Sequence, residues 1–330
     1  MTIRSTANLH MTLTEWALLL VLSVLWGAGY LFGQIALAEL SPFAIVFWRV
    51  ALAAIALIGV RLIAGQTLNL AGMIGPVYLV LGALSVVIPS VLMLWSQTRL
   101  GIGLTSLLGA TSPLFTMLIA HFLTIEEKMT PFRLGGLVIA MVGVAVAMRP
   151  AADGAREGIL AELAVLAAAF CQAYAAVLAR RCEAVSPLEL ATGQLAGASL
   201  LSLPIVLAVE SASAFPRLTI ETILAILALA FLTTALGYLI FFRLLVRAGA
   251  TNVALISVLV PVTALFLAAV VLGEELSWSA CAGAALVGGG LVTLDGRAGP
   301  AVRNAWRALS RLSGRARSPS HQGQHEQEGG

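Results

Sequence analysis

The chain has 330 residues, of which 60% are hydrophobic and only 11% are charged, and its mean hydropathy is +0.99. An ordinary soluble domain carries about 25% charged residues, so this composition excludes one. The formal net charge of +3 comes mainly from six arginines that follow the last apolar run, which argues against nucleic-acid binding. Cys171, Cys182 and Cys281 are scattered and support neither a disulfide framework nor a zinc site. We expect no metal and no cofactor.

Apolar runs of roughly 20 residues recur along the chain, and each is long enough to cross about 30 Å of hydrocarbon as a helix. Barrel strands would alternate polar and apolar residues, and no such alternation is present, so the runs are predicted to be helices. We predict ten spans, at 16–37, 43–64, 72–95, 102–123, 132–149, 158–179, 188–208, 220–242, 250–272 and 277–295. The predicted fold class is an all-α polytopic membrane protein.

Lysine and arginine between the spans predict the orientation. If the N-terminus is cytoplasmic, fourteen of these residues lie on the cytoplasmic side and four lie outside. Without the six arginines of the tail the ratio is still eight to four. We therefore predict an integral protein of the cell membrane with both termini in the cytoplasm.

The two halves of the chain carry the same pattern of residues at a fixed interval. The first copy contains Arg99, Gly101, Pro113, Glu126 and Glu127, and the second contains Arg247, Gly249, Pro261, Glu274 and Glu275, each 148 residues further on. Because each half has an odd number of spans, the second copy enters the membrane upside down. The pattern predicts two inverted-topology five-helix repeats, at 16–149 and 150–295. A cytoplasmic tail precedes them at 1–15, and a basic tail at 296–330 is expected to be disordered or to form a short helix on the inner leaflet.

Together these marks resemble the drug/metabolite transporter superfamily in its EamA-type form. Beyond the repeated residues, they include Leu25-Trp26-Gly27, Phe32, Pro42, Arg49 and Gly273. The resemblance implies export or uptake of small metabolites, amino acids or drugs through a central cavity between the repeats, without specifying the substrate. The second copy departs from the pattern because Gln194 stands where Arg49 would recur.

Arg49 lies about a third of the way into the second span, where an unpaired arginine costs several kcal/mol. One interpretation is that Arg49 faces the cavity and binds an anionic group such as a carboxylate. The alternative is a structural arginine that bonds helix-end carbonyls or snorkels toward the interface.

Trp26, Tyr30 and Gln34 are spaced four apart in the first span and form one stripe on a helix face. They are predicted to line the solute path, and the alternative is packing between helices. Buried polar groups need partners, so other polar and aromatic residues of the spans are also predicted to face the bundle interior. The further candidates for the cavity are Trp48, Trp95, Gln97, Thr111, Gln172, Gln194 and Tyr238.

Proline and glycine predict where helices bend and where they pack closely. Pro113 and Pro261 are equivalent in the repeat and lie within spans, so each is a candidate gating hinge, with a fixed bend as the alternative. Gly136 and Gly143 in the fifth span, and Gly283 and Gly290 in the tenth, are seven apart and share a helix face. They predict close packing between these two helices.

The function predicted from these features is secondary transport of a small metabolite, such as an amino acid, a related metabolite or a drug-like compound, by alternating access. Export is favoured over uptake. The sequence contains no Gly-x-x-x-x-Gly-Lys loop, so no ATPase is expected within this chain. A channel and an intramembrane enzyme are the alternatives, and His-Glu-x-x-His and Gly-x-Ser-x-Gly are both absent. The expected partners are a small-molecule substrate and the bilayer, and the protein is expected to be a monomer or a homodimer.

Overall fold

The computed structural model describes residues 12–66, 75–123, 131–147, 155–179, 185–209, 218–253, 255–273 and 277–294. Ten helical segments account for nearly all of them. These are α1 (Leu13–Ala36), α2 (Pro42–Ile63), α3 (Pro76–Gly109), α4 (Ser112–Leu123), α5 (Pro131–Ala147), α6 (Ala155–Ala179), α7 (Pro187–Val209), α8 (220–253), α9 (Ile256–Leu272) and α10 (Trp278–Leu294). The described residues do not include Glu126, Glu127, Glu274 and Glu275. They also leave out residues 1–11 and 295–330, which form most of the two predicted tails.

Six of the described helices are long and apolar enough to cross a membrane, and the remaining four are shorter apolar helices. Large apolar side chains cover their outward faces; Leu20, Ile55 and Phe266, for example, are more than half exposed. Such a surface is stable against lipid and not against water. The chain is therefore an all-α polytopic membrane protein, as its composition predicts.

The second helix of each half begins in the same way. A serine caps each N-terminus, since the Ser41 hydroxyl accepts a hydrogen bond from the Ala44 N–H and the Ser186 hydroxyl accepts one from the Glu189 N–H, both at 3.2 Å. A proline follows each serine and tolerates the first turn because that position has no helical partner for an N–H. The repeated Ser-Pro pair thus starts a membrane helix twice.

Contacts at opposite ends of α2 establish that the repeats are inverted. Before α2 begins, Glu39 Oε2 accepts a hydrogen bond at 2.9 Å from the Thr219 N–H, which lies just ahead of α8. Near the other end of α2, Arg61 lies 4.0 Å from Glu189 in the first turn of α7. The 22 residues of α2 separate these contacts by about 33 Å. The start of α7 therefore lies on the side of the membrane opposite to the start of α2, its counterpart in the repeat.

The predicted packing between the fifth and tenth helices is confirmed. A Cβ on Gly143 would stand 2.7 Å from the Val287 nitrogen and 2.9 Å from the Gly283 carbonyl oxygen. On the facing helix, a Cβ on Gly290 would stand 2.6 Å from the Gly136 carbonyl oxygen. Each glycine thus lets the opposite backbone approach closely, as small residues do in membrane helix pairs.

The fourth predicted span needs correction, although its predicted start at 102 coincides with a break in α3. Gly101 adopts φ 75° and ψ 175°, which are not helical, and a separate helical stretch continues from there to residue 109. The predicted span at 102–123 is not one helix, because residues 110 and 111 form a turn before α4 begins at Ser112. In the second half α8 runs on to Val253, well past the predicted end at 242. Apolar composition continues across all of these points, so hydropathy could not locate them.

Two π-helical segments widen equivalent helices of the two halves. One occupies residues 83–87 of α3 and the other residues 228–236 of α8, about 145 residues apart. A π turn hydrogen-bonds five residues back instead of four and occurs frequently at functional sites. Both segments contribute residues to the cavity described next.

Candidate functional site

A cavity of about 380 Å³ lies between the two halves. Its wall is formed by residues from α1, α2, α3, α4, α6, α7, α8 and α9, so both repeats contribute. Its volume falls within the range usual for small-molecule sites. Apolar side chains such as Met93, Leu94, Leu195, Leu229 and Ile256 form much of the surface, and a limited set of polar groups interrupts them.

Much of the wall follows the repeat. Pairs of lining residues that are 148 positions apart are Ser85 with Thr233, Val86 with Thr234, Ser90 with Tyr238, Gly109 with Ser257, Ser112 with Val260 and Pro113 with Pro261. Because the repeats are inverted, each pair places similar backbone on opposite sides of the membrane midplane. The polar groups of the wall are less symmetric than its backbone.

Arg49 enters the cavity from α2 and is held by the π segment of α8. Its Nε donates to the Thr234 hydroxyl oxygen at 2.9 Å, and this hydroxyl donates in turn to the Leu229 carbonyl at 2.8 Å, five residues back. Arg49 is the one charged residue among the described residues that line the cavity, and it forms no ion pair with a described carboxylate. Its hydrogen bond to Thr234 uses Nε alone, which leaves the two terminal nitrogens to the ligand in the function proposed below.

Two tyrosines flank Arg49. Tyr30 on α1 and Tyr238 on α8 line the cavity together with Arg49 and lie near its guanidinium. The Tyr238 oxygen also accepts a hydrogen bond at 3.3 Å from Gln194, whose Oε1 accepts one at 3.4 Å from Ser85. Gln194 and Ser85 thus join α7 to the π segment of α3, as Arg49 and Thr234 join α2 to the π segment of α8.

Trp26 closes another part of the wall. Its Nε1 donates to the Thr233 carbonyl at 3.0 Å, and its ring stacks on Phe241 with 5.6 Å between centroids. Gly237 makes room for it, since a Cβ there would stand 2.6 Å from Nε1. The indole therefore joins α1 to α8 and presents an aromatic surface to the cavity.

Gln97 on α3 reaches the cavity beside Tyr30. Its side chain is only 3% exposed, and its Nε2 donates to the Tyr30 carbonyl at a long 3.5 Å. Its Oε1 has no hydrogen-bond partner among the described residues, and the same holds for Oε1 of Gln34. Buried side-chain oxygens without a partner are uncommon in native structures.

The structure brings most of the predicted residues together. Those in the wall are Trp26, Tyr30, Arg49, Gln97, Pro113, Gln172, Tyr238 and Pro261. Gln34, Trp48, Trp95, Thr111 and Gln194 are not among the lining residues. Their transport roles stay predictions.

Three of the residues outside the wall make other contacts. Trp48 is 38% exposed on the outer face of α2, where it meets Phe47 edge to face. Trp95 lies under the guanidinium of Arg99, 5.7 Å from its ring centroid. Thr111 is fully buried and donates to the Leu108 carbonyl at 2.6 Å in the turn between α3 and α4.

The two candidate hinge prolines lie in different local structures. Pro113 is the second residue of α4, directly after the turn at residues 110 and 111. Pro261 is in the interior of α9, where it removes one helical hydrogen bond. Both line the cavity, and the hinge function remains a prediction for each.

The prediction missed several hydroxyl residues of the wall. They are Ser85, Ser90, Ser106, Thr233, Thr234 and Ser257. A single serine or threonine in an apolar run bonds its own helix backbone easily and gives no signal. The interval of 148 between Ser85 and Thr233 was the one pattern that would have pointed to a pair.

Two inverted helical halves around a central cavity define the architecture of a membrane carrier with internal repeats. The model of the EamA-like transporter family matches the chain twice, over residues 14–149 and 159–294. The chain belongs to the EamA-like transporter family.

Relatives and a solved structure agree with this membership. A probable amino-acid metabolite efflux pump of Salmonella typhimurium is 34% identical over 197 residues, and one of Escherichia coli is 30% identical over the same length. Each match covers 57% of this chain and 66% of the relative, just under two thirds of its length. A crystal structure with 19% identity superposes with a TM-score of 0.63 and covers 85% of this chain and 97% of its own, which is a likeness of fold.

Proposed function

We propose that this protein is a secondary carrier that exports small carboxylate-bearing metabolites of the amino-acid class. The single observation that carries the proposal is the arginine in the cavity wall, which has no carboxylate among the described residues to neutralise it. A buried charge is stable only when it is paired and hydrogen-bonded. A carboxylate of the substrate completes that pairing, because guanidinium and carboxylate match in a bidentate geometry.

The rest of the wall fits the remainder of such a molecule. The aliphatic residues of the cavity and the ring of Trp26 offer apolar contact to a side chain, and hydroxyl groups offer hydrogen bonds. The names of the two curated relatives, which are efflux pumps for amino-acid metabolites, support both the substrate class and the outward direction. Uptake by the same cavity is the alternative direction.

Alternating access follows from the inverted halves. Contacts join the halves at two ends, through Glu39 with Thr219 at one and Arg61 with Glu189 at the other. Loosening one pair while keeping the other opens the cavity to one side only, and the inverted symmetry permits the opposite arrangement. The distribution of lysine and arginine supports cytoplasmic termini, which places the Arg61 end inside.

The test is flux of radiolabelled L-leucine in proteoliposomes. We expect saturable flux, and we expect Arg49→Ala to reduce it between about 10- and 150-fold, because charge-assisted hydrogen bonds contribute about 1.5–3 kcal/mol. Arg243→Ala is the matched control, since Arg243 is exposed on α8 outside the wall. Normal flux in Arg49→Ala, with folded protein in the membrane, would remove the arginine from substrate binding. Flux that rises linearly with concentration in the unaltered protein would favour a channel.

A further inference from the structure

Gln97 lines the cavity and carries a hydrogen-bond acceptor, Oε1, that has no donor among the described residues. The residue is only 3% exposed, and this places it among the most buried polar residues that line the cavity. The bond from Nε2 to the Tyr30 carbonyl decides which end of the amide is which, since a flipped amide would set oxygen against oxygen. Oxygen is therefore the atom left over for another donor.

This oxygen is buried beside α1. It lies against Gly33, where a Cβ would stand only 3.2 Å away. Water scarcely reaches the oxygen, and no described donor satisfies it. A buried acceptor in a low-dielectric site costs free energy unless a donor joins it.

Arg49 and Gln97 meet at the same tyrosine. The phenol of Tyr30 lies on the side of Arg49, and the backbone carbonyl of Tyr30 accepts from Gln97. Arg49 and Gln97 line the same cavity of about 380 Å³, so one small molecule there can meet both a cation and an acceptor without a donor. The described lining residues include no carboxylate, so an ammonium group has no ion-pair partner in this wall.

We propose that Gln97 Oε1 accepts a hydrogen bond from the substrate's ammonium group, and so selects α-amino acids over carboxylates that lack an amine. This inference rests on the proposed function, because it assumes that Arg49 holds the carboxylate. The faces of Tyr30 and Trp26 assist, since aromatic rings attract cations. Leu245 stands 148 residues after Gln97, so this acceptor belongs to the first half alone.

The experiment measures affinity by thermal stabilisation of the purified full-length protein with three matched probes. L-leucine carries both charged groups, 4-methylpentanoate lacks the ammonium, and 3-methylbutylamine lacks the carboxylate. We expect the unaltered protein to bind L-leucine at least 10-fold more tightly than 4-methylpentanoate. We expect Gln97→Leu to abolish that preference and leave the affinity for 4-methylpentanoate within about 2-fold.

A second variant adds a negative charge without removing the acceptor. Gln97→Glu should tighten binding of 3-methylbutylamine and weaken binding of 4-methylpentanoate, which a merely structural glutamine would not do. Thr98→Ala is the control on the next residue, because Thr98 is exposed and bonds only its own helix. It should keep the order of the three probes.

The possible outcomes separate this inference from the proposed function. Equal losses for L-leucine and 4-methylpentanoate in Gln97→Leu, or no change in their ratio, would overturn the role of Gln97 while leaving carboxylate recognition intact. If Gln97→Leu does not fold, an unchanged probe order in Gln97→Glu overturns it equally. Binding of neither carboxylate by the unaltered protein would overturn the proposed function, and this inference with it.

Discussion

Helices α2 and α7 are the same element of the repeat, and they differ in one position that matters. Each begins at a serine cap followed by proline, and each packs on the π segment of the other half. At equivalent positions, however, α2 carries Arg49 to Thr234 and α7 carries Gln194 to Ser85. The scaffold is duplicated and the charge is not. Duplication therefore preserves what packs the halves together, while each copy adapts its polar groups to the cavity.

Helices α5 and α10 show the opposite behaviour. Gly143 and Gly290 each admit the facing backbone at distances that no Cβ could share. These helices contribute none of the described lining residues, so nothing selects for a difference between them. The contrast between the α2–α7 pair and the α5–α10 pair predicts which substitutions act symmetrically.

The largest expected effect is on the symmetric pair. Gly143→Val and Gly290→Val should each prevent stable folding, because branched side chains would meet backbone atoms below 3 Å. Yield of monodisperse protein in size-exclusion chromatography is the measurement. Gly289→Ala is the control, since nothing lies within 4 Å of its added Cβ. A strong effect of one valine and none of the other would contradict the symmetry.

A smaller effect is expected at the asymmetric pair. Gln194→Leu removes the hydrogen bonds to Ser85 and Tyr238, so the free energy of unfolding should fall by about 1–2 kcal/mol. Affinity for L-leucine should change less than 3-fold, in contrast to the loss in Arg49→Ala. Calorimetry and binding measured on the same preparation separate the two quantities. A loss of affinity equal to that of Arg49→Ala would place Gln194 in the binding site after all.

The sequence was sufficient for the fold because lipid leaves few choices. Long apolar runs must be helices, an odd number of them inverts the second copy, and glycines seven apart mark a close contact. All three inferences needed only spacing and composition. The helix ends at residues 109 and 253 were missed because an apolar run does not show where backbone geometry changes.

The site could be predicted only in part, for a related reason. Arg49 was singled out because an unpaired arginine is costly in a bilayer, and Tyr30 because it shares a helix stripe with Trp26. Trp48 adjoins Arg49 in sequence but points about 100° away on the helix and is 38% exposed, so its place in the cavity stays a prediction. Thr234 could not be identified, because its role depends on a π turn that shifts the residues after it around the axis.

A further comparison concerns the first helix of each half, α1 and α6. Trp26 has Cys171 at the equivalent position 145 residues on, so its bond to Thr233 has no equivalent in α6. Trp26→Phe keeps the stacking on Phe241 and removes the N–H donor, and we expect it to lower unfolding free energy by about 1 kcal/mol. The measurement is thermal unfolding of Trp26→Phe and of Trp16→Phe, which alters an exposed residue of α1 and serves as the control. Equal stability of both variants would show that the bond contributes nothing.

The smallest effect concerns the two ends of the molecule, where Glu39 bonds Thr219 at one end and Glu189 pairs with Arg61 at the other. The Thr219 N–H, and then the Thr222 side chain, hold the pKa of Glu39 below its ordinary value of 4.5. A group whose folded pKa is lowered contributes stability above its unfolded pKa and loses it as the pH falls through the folded value. The Tm difference between the unaltered protein and Glu39→Gln should therefore be constant from pH 6 to pH 8 and shrink below about pH 4.5. Because the hydrogen bond between Glu39 and Thr219 is exposed to solvent, the difference should be small. A difference that grows as the pH falls would contradict the assigned contact with Thr219.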